Sequence, residues 1–234
     1  MPNPPNLPYR ISAHLSDTPE VRPAPNANWQ ARREVAAALR RLNNAVLTAD
    51  VPTDFLQTIT AQVEAAADIA ESHQRVYGNK SHALQIASTD GVHSDTFYEL
   101  TPALGQSNAV APPMHVWQAD GCVHAEVSLN WSYEGPFGLV HGGIISLLFD
   151  QLLGVATLLA GGSGRTATLN IRYHHPTPLN QPLRLMAKVD RVEGRKQFIL
   201  AELWVGELCT ASCDGLLIAP RPSPETPGAT TAAP

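Results

Sequence analysis

Leu139-Val140-His141-Gly142-Gly143-Ile144-Ile145-Ser146-Leu147-Leu148-Phe149-Asp150-Gln151-Leu152-Leu153-Gly154 is the stretch that decides the reading of this chain. From Gly143 to Ala160 the apolar residues fall on nearly every side of a helical wheel, which predicts a central, enclosed helix. The exceptions, Gly143, Ser146, Asp150, Gly154 and Thr157, are spaced by three or four and so form one narrow stripe of small or polar side chains. That stripe reads as a cleft with Asp150 at its middle. An ionised carboxylate among hydrocarbon costs several kcal/mol unless it is paired, so stability alone does not favour an aspartate there. The acid is read as functional.

Around this helix the pattern changes from one side to the other. Residues 1–30 are crowded with proline and predict an irregular arm, into which Trp29 brings a docking point. Residues 31–95 are read as a helical extension. Val35, Leu39, Leu42 and Val46 mark an amphipathic helix over Gln30–Leu47, and a second is predicted over Asp54–His73, with Asp50 or Thr53 as cap and Pro52 near its first turn. Tyr77–Asp95 reads as a polar loop. Residues 96–220 alternate in short runs: Phe97–Leu100, His115–Trp117 and Val123–Leu129 before the helix, then Thr166–His174, Leu183–Val192, Gln197–Val205 and Cys209–Ile218 after it. One long helix followed by a meander of strands excludes a doubly wound parallel sheet. It predicts an α+β fold in which a curved antiparallel sheet wraps the helix. Residues 221–234 are read as a disordered tail.

The composition narrows the partners. With 234 residues, 44% of them apolar, there is room for one core with accessory segments. A formal charge of −5 gives no basic surface for nucleic acid or anionic membrane. The helical extension likewise sets Glu34, Asp50, Asp54, Glu64, Asp68 and Glu71 beside only four arginines, which argues against DNA. The Pro-rich start does not read as a secretory signal, and the apolar helix, broken by His141, Asp150 and Gln151, is read as falling short of a membrane span. Cys122, Cys209 and Cys213 leave one thiol unpaired in any disulfide scheme, so reduced, packed thiols in a cytoplasmic protein are expected. The adjacent His174 and His175 point to opposite faces of a strand and do not share a metal ion. No metal or redox cofactor is expected.

The residues His141-Gly142-Gly143, Asp150, Gly154 and Thr166-x-x-Leu169-x-Ile171-x-Tyr173-x-x-Pro176-x-Pro178-Leu179, with Gly194-Arg195-Lys196 further on, resemble the hotdog-fold acyl-CoA thioesterases of the phenylacetate-pathway type. The resemblance covers roughly Leu100–Pro220. It implies a helix wrapped by a sheet, two such units paired edge to edge into a homodimer that often doubles to a tetramer, and an acyl-CoA substrate. It also implies that Thr166 lies beside the carboxylate and that Arg172, Arg184, Arg195 and Lys196 lie near the CoA. Thioester hydrolysis needs a polarised carbonyl, and a helix N-terminus supplies unpaired N–H groups for it. The Gly142 N–H is assigned as the oxyanion donor, His141 as holder of that turn, and Asp150 as general base or nucleophile. The acyl chain is expected along Leu147, Phe149 and Leu153. Where some relatives carry an asparagine as second donor this chain has Gly135, beside Glu134, so a water or His141 takes that place.

Eight helical residues separate Gly142 from Asp150 by roughly 12 Å, too far for both to act on one carbonyl of the same chain. The expected site therefore joins two copies with their helices antiparallel. Two other readings stand beside this one. A hydratase acting on enoyl-CoA generally pairs aspartate and histidine on one loop, whereas Asp150 lies in mid-helix. A non-catalytic acyl-CoA sensor or carrier would bind without turnover.

Overall fold

The computed structural model describes residues 17, 19–73, 99–161 and 164–221. Helix α1 spans Ala27–Thr48 and begins inside the segment expected to be irregular, because the Asn26 side chain accepts the Trp29 N–H and caps it. Trp29, Arg33, Ala36 and Arg40 recur on one face of α1, and that face docks on the chain's own loop at residues 99–111. Trp29 is fully buried. Arg33 grips the buried Glu99 carboxylate through Nε and Nη2, and the Ser107 hydroxyl donates to the same group at 2.6 Å. Arg40 donates to the Asn108 carbonyl at 2.9 Å. Arg33→Ala would strand a buried carboxylate, so it is expected to cost about 3 kcal/mol in urea unfolding. Arg33→Met with Glu99→Leu should cost clearly less.

Helix α2 spans Thr53–Glu71, and neither Asp50 nor Thr53 caps it; Pro52 is the N-cap and no side chain closes the end. Proline fixes the backbone angle that launches the helix, which makes Thr53 its first helical residue instead. No residue of α2 is buried. The expected strand Phe97–Leu100 is not formed where it can be seen. Glu99 and Leu100 lie in a turn, because the Glu99 carbonyl is taken by the Ser107 N–H, and Phe97 lies outside the described residues. The segment Tyr77–Asp95 and residues 222–234 also lie outside them.

Six strands follow: β1 His115–Ala119, β2 Cys122–Ser128, β3 Arg165–Tyr173, β4 Pro182–Glu193, β5 Lys196–Val205 and β6 Leu208–Ile218. They pair antiparallel in the order β1-β2-β4-β5-β6-β3. Alternate residues such as Leu183, Leu185, Ile199, Leu203 and Leu217 are buried under helix α3, Gly142–Ala156. A short 3-10 turn, Thr157–Ala160, extends α3, so the α-helix proper ends earlier than the apolar pattern predicts. The helix sits close to the sheet because β6 carries Gly215 where a Cβ would stand 2.7 Å from Leu153 Cδ1. This is the hotdog arrangement.

By length and composition Gly142–Ala160 is apolar enough to cross a membrane, contrary to the expectation that it falls short. Packing decides otherwise, since Ile145, Leu148, Phe149, Leu152 and Leu153 face the sheet and are buried by it. Cys213 shares this core, and burial, with Asp214 alongside, pushes its thiol up to about 11. The neutral thiol therefore stabilises the fold fully below the ordinary thiol pKa and loses that contribution as pH rises toward 11. Cys213→Ala is expected to flatten the decline in unfolding stability between roughly pH 9 and 11. An unchanged alkaline slope in the variant would count against it.

Candidate active site

Two groups of candidate residues are built on α3, one at its start and one two turns further along. His141 caps the helix with extended backbone, and its Nδ1 accepts the Gly143 N–H at 2.9 Å. That bond fixes the neutral ring as the tautomer protonated on Nε2. The Gly142 N–H comes first in the helix and has no intrahelical acceptor. No other backbone bond among the described residues takes it. The Gly142 carbonyl, by contrast, accepts from the Ser146 hydroxyl at 3.0 Å and from the Tyr173 phenol at 2.9 Å.

A cleft of about 510 Å³ opens at this end, lined by Leu139, Gly142, Gly143, Tyr173, His175 and Pro176 among others. The loop entering the helix explains Gly135. A Cβ there would stand 2.8 Å from His141 Cα, so any side chain at this position would push the cap aside. Glu134 is occupied within the same loop, accepting the Gly138 N–H at 2.8 Å.

In the second group the Thr166 hydroxyl donates to Asp150 Oδ1 at 2.8 Å. Asp150 is half-buried rather than enclosed. It stands about 140° around the helix from Ile145, which faces the sheet, so the stripe runs along the side of α3 that its own sheet leaves open. This corrects the expectation of a helix enclosed on all sides. Thr157 drops out of the stripe, buried with its hydroxyl on the Gly154 carbonyl at 2.7 Å. Ser146 serves Gly142 and Tyr173, not Asp150.

The thioesterase superfamily model matches residues 137–210, which contain both groups of candidate residues. A solved thioesterase superfamily protein is 31% identical, with a TM-score of 0.73, over 88% of this chain and 98% of its own. The chain belongs to the thioesterase superfamily. Among curated relatives, acyl-coenzyme A thioesterase THEM4 of Xenopus laevis is 36% identical over 30% of this chain and 32% of its own length. The Bos taurus protein of that name is 39% identical over 28% of this chain and 27% of its own. The matched segment thus spans about a third of these curated relatives.

Within this superfamily fold the four basic residues do not gather into one patch. Arg184 donates to the Gly206 carbonyl near one end of β4, with Glu207 beside it at 3.7 Å. Arg195 donates to the Ala219 carbonyl at 3.0 Å in the turn beyond the other end, next to Lys196. Nine residues of strand between Arg184 and Glu193 amount to about 30 Å. Arg172 is exposed on β3. Of the residues expected along the acyl chain, Phe149 and Leu153 are fully buried against the sheet, and Leu147 is half-buried.

His174 lies beyond the end of β3 with its Nε2 within 2.8 Å of Ser212 Oγ, and both it and His175 line the cleft. Tyr173 is the site residue to which the sequence reading gave no role. Its only signal was a place in the quoted motif, since nothing in linear spacing shows a phenol reaching back to the carbonyl of Gly142.

Proposed function

We propose that the protein hydrolyses acyl-CoA thioesters to a free acid and CoA, each site being assembled from two copies of the chain. The reading is carried by one observation. A threonine-held carboxylate on the open side of one helix and an unengaged N–H at the start of that helix stand roughly 12 Å apart along its axis. Two such helices set antiparallel bring the Asp150 of one copy to the Gly142 of the other, giving two equivalent sites. The edge strand β3 supports the pairing, because seven of its nine residues are exposed and its outer backbone groups await a partner.

In that site the thioester oxygen points at the Gly142 N–H, where negative charge develops as the carbon becomes tetrahedral. The Asp150 carboxylate takes a proton from a water whose oxygen adds to the carbon, or adds itself to give an anhydride that water then opens. The C–S bond breaks, and the CoA thiolate leaves and takes up a proton. Thr166 orients the carboxylate in either route. Arg172, Arg184, Arg195 and Lys196 are assigned to the phosphates of CoA, Arg195 and Lys196 from one end of the sheet and Arg172 and Arg184 from nearer the other, so the second copy has to bring the two pairs together.

Thiol release from acyl-CoAs of graded length and from aromatic ones tests the reading. Stoichiometric release of CoA with at least one class is expected. Tight binding without release across the series would overturn hydrolysis and favour a carrier.

A further inference from the structure

The start of α3 poses a physical problem that His141 alone does not solve. Two consecutive glycines open the helix, and each costs about 1 kcal/mol relative to alanine because its backbone is freer in the unfolded chain. A helix end built this way frays, yet an oxyanion donor must already be in place when charge develops. The peptide unit joining Gly142 to Gly143 is held at both ends. Its N–H is bonded to His141 Nδ1, and its carbonyl lies 2.9 Å from the Tyr173 phenol and 3.0 Å from the Ser146 hydroxyl.

The two hydroxyls are also 3.0 Å from each other. Three close oxygen contacts therefore share two hydroxyl protons, so at most two of the three are hydrogen bonds at any moment. Either hydroxyl alone is enough to satisfy the carbonyl. Tyr173 also closes the flank of Gly142, since a Cβ there would lie 3.4 Å from the phenol oxygen. The side chain arrives from the end of β3, the strand that near its start holds Asp150 through Thr166. One edge strand thus fixes a partner in each half-site.

We infer that Tyr173 and Ser146 are redundant positioning residues that lock the Gly142–Gly143 peptide and thereby aim the Gly142 N–H at the thioester oxygen. The inference rests on the proposed role of that N–H in hydrolysis. Neither side chain touches the reacting atoms. They act through the backbone, and each covers for the loss of the other.

Tyr173→Phe, Ser146→Ala and the double variant, assayed by CoA release alongside thermal melting, test this. Each single variant is expected to lose no more than about threefold in kcat, and the double about thirtyfold with KM within about twofold, the pattern of a misplaced transition-state donor. A merely structural pair would lower the melting temperature and leave the kcat of folded protein unchanged. The inference is overturned by a double variant with wild-type kcat, or by a loss no larger than the product of the two single losses. Gly142→Pro separates this from failure of the underlying reading. If proline there leaves kcat intact, the Gly142 N–H is not the donor and both ideas fall; if proline lowers turnover by about a hundredfold or more and the double variant loses no more than the product of the two single losses, only the positioning role falls.

Discussion

Asp150→Asn is expected to lower the turnover of acyl-CoA by at least about a hundredfold while leaving substrate binding nearly unchanged. The substitution is well matched to the site. An asparagine oxygen still accepts the Thr166 hydroxyl that now donates to Asp150 Oδ1 at 2.8 Å, so the local packing survives. What disappears is the charge, and with it the capacity to take a proton from water or to attack the carbonyl. Both routes proposed for Asp150 lose their first step, so the prediction does not depend on choosing between them. Steady-state CoA release, with binding of a non-hydrolysable analogue measured in parallel, checks it. Wild-type turnover in the variant would remove Asp150 from the mechanism. Loss of binding together with turnover would make it a substrate contact instead.

The aspartate stood out in the sequence because a lone acid breaks an apolar periodicity, although the burial cost read into that break is smaller than expected, since Asp150 is half-buried on the open side of the helix. The strands after the helix were legible for a related reason. Period-two alternation in Leu183, Leu185 and Ala187 is a direct record of which face is buried. Legibility stopped where a tertiary contact overrides a local signal. Glu99 lies within Phe97–Leu100, which reads as a strand, but the buried bond to Arg33, 66 residues earlier, belongs to a turn. Phe149 and Leu153 read as acyl-chain contacts because they flank Asp150 in sequence, yet their azimuths put them under the sheet. Gly135 stands where relatives were expected to carry a donor, and only the closeness of His141 shows why a side chain is excluded there. Tyr173 shows the limit most clearly: its partner is a backbone carbonyl, and a backbone carbonyl has no signature in a sequence.

Gly142→Pro should be the most informative single substitution at the other half-site, because it deletes one hydrogen-bond donor and little else. Gly142 is the first helical residue, where proline is tolerated since its missing N–H has no helical acceptor. The preceding residue must be extended before a proline, and His141 already is, at φ −61° and ψ 132°. A Cβ at this position meets Tyr173 at ordinary contact distance, 3.4 Å from the phenol oxygen. Folding is therefore expected to be preserved, with turnover falling about a hundredfold or more, as for removal of one preorganised oxyanion donor. Mixing this variant with Asp150→Asn then tests the two-chain site. Each mixed dimer pairs the intact Asp150 of the proline variant with the intact Gly142 of the asparagine variant at one of its two sites, and leaves the other site doubly defective. Random exchange makes half of the dimers mixed, so two nearly inactive proteins should recover about a quarter of wild-type activity per protomer. A site contained within one chain recovers nothing on mixing, because no protomer in the mixture then carries both groups.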